Sequence, residues 1–180
     1  MRESAHSICY ACTSGASSAL YRALGEGEPV TAAELADRLG LDRWYVREWL
    51  QAEATAGLVT VDGDVDSGRF ALAPGAREAL IDQTNPFYVG GLGSALAAAG
   101  ATVSRVIEAF RSGDGVPYAD YGPDAVEAQA ALNRPAFVNS LVAEWLASVP
   151  DVQARLTDAV RPARVADFGC GVGHQLSPRH

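Results

Sequence analysis

The chain has 180 residues, a formal net charge of −8 and 48% hydrophobic residues, which excludes disordered and collagen-like chains. All fourteen basic residues are arginines, so nucleic acid can be bound only where arginines gather on one face. The first ten residues contain no secretory h-region, and no run is apolar enough to cross a membrane, so we expect a cytoplasmic protein.

The first residues show no clear periodicity, and we expect an irregular start that gives way to a short helix over Ala16–Leu24. This start contains His6, Cys9 and Cys12 in an H-x2-C-x2-C arrangement, a spacing that could hold zinc. No second C-x2-C completes the ligand set, so we predict no metal site.

Helix signals dominate the next stretch. Thr31 and Glu34 form a T-x-x-E capping box that predicts the start of a helix, and Gly40 predicts its end. Asp42 is placed to cap a second helix, which Gly57 ends. The apolar faces of the two helices are Leu35, Ala36 and Leu39 in the first and Val46, Trp49 and Leu50 in the second.

Two short strand patterns follow these helices. Leu58–Val61 and Arg69–Leu72 read as strands, and the sequence DGDVDSG between them is typical of a turn. Two helices followed by a hairpin predict a winged helix-turn-helix domain.

As a DNA reader, this domain would place its second helix in the major groove and its hairpin against phosphates. The residues facing the bases would be Tyr45, Arg47, Glu48 and Gln51. The net charge argues against DNA binding, because the segment from Leu20 to Leu80 contains eleven acidic residues and only six arginines. Three of the acids, Asp62, Asp64 and Asp66, lie at the hairpin tip. Trp44 lies off the buried face, as aromatic residues at protein interfaces do, so we predict homodimerisation in preference to DNA binding.

Helical patterns continue beyond the hairpin. The predicted segments are Pro74–Leu80, Phe87–Phe110 with breaks at its glycines Gly90, Gly91, Gly93 and Gly100, Ala125–Val149 with a kink near Pro135, and Val152–Val160. A β-like run, Arg164–Phe168, then leads directly into a glycine-rich loop.

The most specific motif is VADFGCGVG, in which Asp167 is followed by Gly169, Gly171 and Gly173. This Asp-x-Gly-x-Gly-x-Gly pattern resembles the first nucleotide motif of class I S-adenosylmethionine-dependent methyltransferases. The stretches LYRAL, YVREWL, GVPYADYG and LNRPAF are similar to the bacterial methyltransferase family with an N-terminal winged-helix domain, some members of which are named transcriptional regulators. The resemblance covers about Leu20 to Gly173.

The resemblance implies S-adenosylmethionine as cofactor. The three glycines would pass under it, and Asp167 would lie near its methionine amino group. Cys170 occupies a position where the resembled motif commonly has a cysteine without a catalytic role. The helical cover over the cleft would carry Tyr118, Tyr121, Asn133 and Arg134.

The chain ends seven residues after Gly173, and Pro178 comes too early for the helix that should follow the loop. We therefore expect a truncated methyltransferase domain, with no turnover and weak cofactor binding by this chain alone. The expected domains are an irregular start at 1–19, a winged helix at 20–82, a helical linker at 83–162 and the methyltransferase start at 163–180.

The fold class that follows is mainly α, ending in the first strand of an incomplete Rossmann-like α/β domain. We expect the N-terminal part of a methyltransferase acting on a small molecule, with a dimerising role. The alternatives are a winged-helix DNA-binding transcriptional regulator and an interaction module that pairs with an intact methyltransferase.

Overall fold

The computed structural model describes residues 15–173 and is mainly helical. In chain order its elements are α1 Gly15–Gly25, α2 Ala32–Leu39, α3 Arg43–Thr55, β1 Val59–Asp62, β2 Arg69–Leu72, α4 Ala76–Leu80, α5 Leu92–Ser112, a 3₁₀ turn Tyr118–Tyr121, α6 Gly122–Ser140, a π-helical turn Leu141–Trp145, and α7 Pro150–Leu156. Within these residues, no helix combines the length and the apolar character that a membrane crossing requires.

Local signals set the ends of α2 and α3. The hydroxyl of Thr31 accepts a hydrogen bond from the Glu34 N–H at 3.2 Å, and the Glu34 carboxylate accepts one from the Thr31 N–H at 2.8 Å. Gly40 ends α2 with a φ of 64°, a left-handed conformation that favours glycine. Asp42 caps α3 by accepting from two N–H groups of its first turn. The predicted capping box and caps are confirmed.

The core of the winged helix lies between α1, α2, α3 and the hairpin. Its largest fully buried side chains are Trp49 and Leu50 of α3, Leu35 of α2 and Phe70 of β2. Each buried side chain of this size stabilises the fold by about 1.5–3 kcal/mol. The predicted apolar faces of α2 and α3 are the faces that enter this core.

The hairpin pairs antiparallel, with its register running from Val59 opposite Leu72 to Asp62 opposite Arg69. Val30, between α1 and α2, exchanges two backbone hydrogen bonds with Phe70 at 3.0 and 2.7 Å, which ties the hairpin to the helices. Helix, helix and wing therefore have the order and pairing that the sequence predicted.

Helices α5 and α6 pack against each other beyond the winged helix. A Cβ added at Gly91 would lie 3.0 Å from the Leu132 side chain, so the entry to α5 lies directly against α6. Asn139 of α6 donates a hydrogen bond to the Thr84 carbonyl at 2.8 Å, which holds α6 to the segment after α4.

The linker departs from prediction at its boundaries. The helix predicted over Phe87–Phe110 begins at Leu92 instead, because Gly90 and Gly91 pack against neighbouring backbone and side chains before it. The breaks predicted at the glycines inside α5 do not occur, since α5 is continuous to Ser112. Pro135 is accommodated within α6, and the irregular turn follows it at Leu141–Trp145.

The strand predicted over Arg164–Phe168 is not formed. In residues 15–173 the sheet consists of the two hairpin strands, and no strand of these residues pairs with Arg164–Phe168. A parallel strand needs a hydrogen-bonded neighbour, and here the Phe168 side chain is 94% exposed. A Rossmann-like α/β domain stays a prediction.

Candidate functional site

The outer face of α3 and the wing form the first candidate site. The structure places Tyr45, Arg47, Glu48 and Gln51 on α3 as predicted, with Tyr45 exposed and the others half-buried. Arg47 lies between two carboxylates, at 3.3 Å from Glu48 and 3.7 Å from Asp66 of the wing. Arg47 is therefore paired with carboxylates of its own domain.

The remaining arginines of α2, α3 and the wing also bond to carboxylates or backbone carbonyls of the domain. Arg43 makes a bidentate pair with Asp37 at 3.0 and 2.7 Å, and this pairing raises the pKa of Arg43. Arg69 lies 3.3 Å from Glu34 and donates to a backbone carbonyl. Arg38 also donates to a backbone carbonyl. Phosphate binding would have to displace these partners, and the acidic wing tip would repel phosphate.

The same end of α3 carries an aromatic pair. Trp44 and Tyr45 stack edge to face with ring centroids 5.0 Å apart, and about half of each residue is exposed. The predicted exposure of Trp44 is confirmed. Exposed aromatic residues are typical of protein interfaces.

A second exposed surface follows one side of α5. The residues of this apolar stripe are Leu92, Leu96, Val103, Ile107 and Phe110. At 100° per residue they fall within about 60° of one another around the helix, along about 27 Å of its length. Phe110 is 88% exposed and Leu96 is 68% exposed. The stripe is an exposed apolar surface on a helix that also packs against α6.

The glycine-rich loop has the backbone conformation that its sequence predicts. Gly169, Gly171 and Gly173 have φ values of 79°, 58° and 74°, which side chains with a Cβ rarely adopt. The Gly173 N–H donates to the Cys170 carbonyl at 3.0 Å and closes a tight turn. Within residues 15–173, nothing besides the adjoining residues lies within 4 Å of a Cβ added at these glycines. Asp167 is exposed and Cys170 is half-buried.

The four predicted cover residues do not form one cluster. Tyr118 and Tyr121 lie in the 3₁₀ turn before α6, whereas Asn133 and Arg134 lie about 17 Å further along that helix. Asn133 is exposed and accepts a hydrogen bond within α6. Arg134 is half-buried and lines a cavity together with Arg22 and Arg77, two residues that the sequence analysis did not select. Zinc binding by His6, Cys9 and Cys12 concerns residues outside those that the structure describes.

The comparisons with known proteins agree with the N-terminal architecture. Residues 7–80 match the model of the Rv2258c-like winged HTH domain. The chain thus contains a winged helix-turn-helix domain. A search of curated proteins finds no match to the chain.

Proposed function

We propose that the winged-helix domain and the helices after it join two copies of this chain, as the dimerising part of an S-adenosylmethionine-dependent methyltransferase that acts on a small molecule. The observation that carries the dimer is the apolar stripe of α5. Exposure of five large apolar side chains to water is unfavourable, and covering them would stabilise the chain. A second copy of the chain offers the same apolar surface in a two-fold arrangement.

The composition of α5 supports close approach of a second helix. Between Leu92 and Val103 the helix has no charged residue and consists largely of alanine and glycine. Small residues let two helix backbones come near each other, and the large side chains of the stripe can then interdigitate. The Trp44–Tyr45 pair is a further exposed apolar surface on the winged helix.

The electrostatics of the winged helix favour a protein partner over DNA. Arg47 is paired with Glu48 and Asp66, and the wing tip carries three aspartates. Sequence-independent DNA affinity comes from arginines and lysines that replace counterions on phosphates. A face whose arginine is already neutralised supplies little of that affinity.

The methyltransferase assignment rests on the Asp-x-Gly-x-Gly-x-Gly motif and on the loop conformation. Three glycines in the left-handed region let the backbone turn tightly and place no Cβ in the path of a ligand. Asp167 is exposed beside them and suited to a cationic amino group. S-adenosylmethionine would supply an electrophilic methyl group, and this chain's residues would bind and orient it.

A DNA-binding regulator is the second candidate, favoured by the match of residues 7–80 to a winged helix-turn-helix model. Two measurements separate the candidates. Sedimentation velocity at about 50 µM should show a dimer of micromolar dissociation constant or tighter, and mixed-sequence duplex DNA at low salt should not shift in a gel. A monomer in the first experiment, or a salt-dependent shift in the second, would contradict the proposal.

A further inference from the structure

A cavity of about 580 Å³ lies between the winged helix and α6. Its volume is within the range of small-molecule sites, about 300–1,000 Å³. The charged residues that line it are Arg22, Arg77, Arg134 and Asp82. Three arginines and one aspartate give the lining a charge of +2, whereas the whole chain carries −8. The cavity is thus a positive site on an acidic protein.

Two of these charged side chains, Arg77 and Asp82, form hydrogen bonds within the protein. Arg77 donates a hydrogen bond to the Gly25 carbonyl at 2.8 Å, which fixes its guanidinium at the end of α1. Asp82 accepts from the hydroxyl and the N–H of Thr84 at 2.6 and 2.9 Å. The hydroxyl bond is the main reason that the pKa of Asp82 is lowered, so this carboxylate stays ionised while turned to its own loop.

The other two arginines keep their donors available. Among residues 15–173, no carboxylate lies within 4.0 Å of the guanidinium of Arg22 or Arg134. Arg134 is kept on the cavity wall because Asn139, little more than one helical turn later, bonds to the Thr84 carbonyl. Arg22 lies in the last turn of α1, where the helix dipole also favours a cation.

We propose that this cavity binds an oxyanion, the phosphate or carboxylate group of a small molecule, through the guanidinium groups of Arg22 and Arg134. A guanidinium presents paired N–H donors that match the oxygens of either group, and Arg77 adds a third positive charge. The proposal depends neither on dimerisation nor on methyl transfer, since it uses residues of α1, α4 and α6 alone.

The test is isothermal titration calorimetry of the 180-residue chain with inorganic phosphate and, separately, with succinate, both at constant ionic strength set with sodium chloride. We expect saturable binding of at least one of the two anions. Arg22→Gln and Arg134→Gln should each weaken that binding at least tenfold. Arg111→Gln is the matched control, because Arg111 is exposed and pairs with Glu108 away from the cavity. Tighter binding of phosphate would indicate that the natural ligand is a phosphate ester, and tighter binding of succinate would indicate a carboxylate.

Three results would overturn the proposal. These are no saturable binding of either anion up to about 10 mM, equal weakening by Arg111→Gln, or full binding by an Arg22→Gln, Arg134→Gln double variant. Circular dichroism checks that each variant is folded. If a glutamine variant loses its fold, Arg22→Lys and Arg134→Lys keep the charge but not the paired donors, and unchanged affinity in both would equally refute the role of the guanidinium groups.

Discussion

Leu96→Glu is the sharpest test of the apolar stripe on α5. Leu96 is 68% exposed in the single chain, so a second copy that covered it would bury about two thirds of its surface. Complete burial of a leucine is worth about 1.5–3 kcal/mol, which gives about 1–2 kcal/mol for each copy and about 2–4 kcal/mol for a two-fold dimer. Loss of this free energy raises the dissociation constant about 30- to 1,000-fold.

Glutamate adds a second unfavourable contribution, because its charge would be desolvated at the interface without a partner. The measurement is sedimentation velocity over a concentration series for the wild type, Leu96→Ala and Leu96→Glu. We expect dissociation to increase in that order. Since Leu96 is a surface residue of the monomer, circular dichroism and the unfolding midpoint of the monomeric variant should change little.

Val160→Glu provides the matched control, because Val160 is 89% exposed and lies outside the stripe. It introduces the same charge at an exposed apolar position and should leave dimerisation unchanged. A wild-type chain that is monomeric at tens of micromolar would refute the reasoning. The same holds if Leu96→Glu dimerises like the wild type, or if Val160→Glu dissociates the dimer as strongly.

Four further predictions concern stability, its pH dependence and cofactor binding. Gly90→Ala should destabilise the chain by about 1–3 kcal/mol in urea unfolding, because its Cβ would clash with a backbone carbonyl of α4. In Gly100→Ala the added Cβ meets no atom of residues 15–173 within 4 Å, so this change should stabilise the chain by up to about 1 kcal/mol. Equal effects of the two substitutions would contradict the packing. Thr31→Ala should cost about 1 kcal/mol by removing the helix cap. The Glu34 pKa is lowered, chiefly by the hydrogen bond from the Thr31 N–H, so its stabilisation is present above its unfolded-state pKa and is lost as the pH falls through the lowered value. In unfolding measured from about pH 7 to pH 3, the wild type should therefore lose more stability than Glu34→Gln, in which only the other carboxylates titrate. Titration calorimetry with S-adenosylmethionine should give a dissociation constant above about 50 µM, because the described residues place no other group within 4 Å of a Cβ added at the loop glycines and so supply few contacts to a ligand there. Tighter binding that Gly171→Val abolishes would show instead that the loop suffices.

The winged helix could be predicted from sequence because its signals are local. The capping box of Thr31 and Glu34, the Asp42 cap and the hairpin turn each involve residues a few positions apart. The apolar periodicity then assigns the faces of α2 and α3, and Trp49 and Leu50 enter the core as that pattern requires. Each of these features follows from chain geometry over one or two helical turns.

Features that depend on distant neighbours were missed or misplaced. The start of α5 is set by contacts of Gly90 and Gly91 with α4 and α6, which no helix pattern contains. The run Arg164–Phe168 has the composition of a strand, but a strand exists only where another is paired with it. Arg22 and Arg134 are 112 positions apart in the chain, and they line one cavity only because α6 is held to the Thr84 segment.

The partners and positions of the arginine side chains bear on which ligand the chain can bind. In a chain with no lysine, every positive side chain is an arginine, and those of α2, α3 and the wing are bound to carboxylates or carbonyls of the same domain. Arg47 in particular joins the reading helix to the wing through Asp66, so it contributes to the rigidity of the module and little to its external field. Arg22 and Arg134, which have no carboxylate within 4.0 Å among residues 15–173, instead line the cavity between α1 and α6. The positive charge available for a ligand thus lies away from the face that a winged helix would turn to DNA, in an open cleft lined by Arg22, Arg77 and Arg134. This distribution favours a small anion over a nucleic acid as the charged partner.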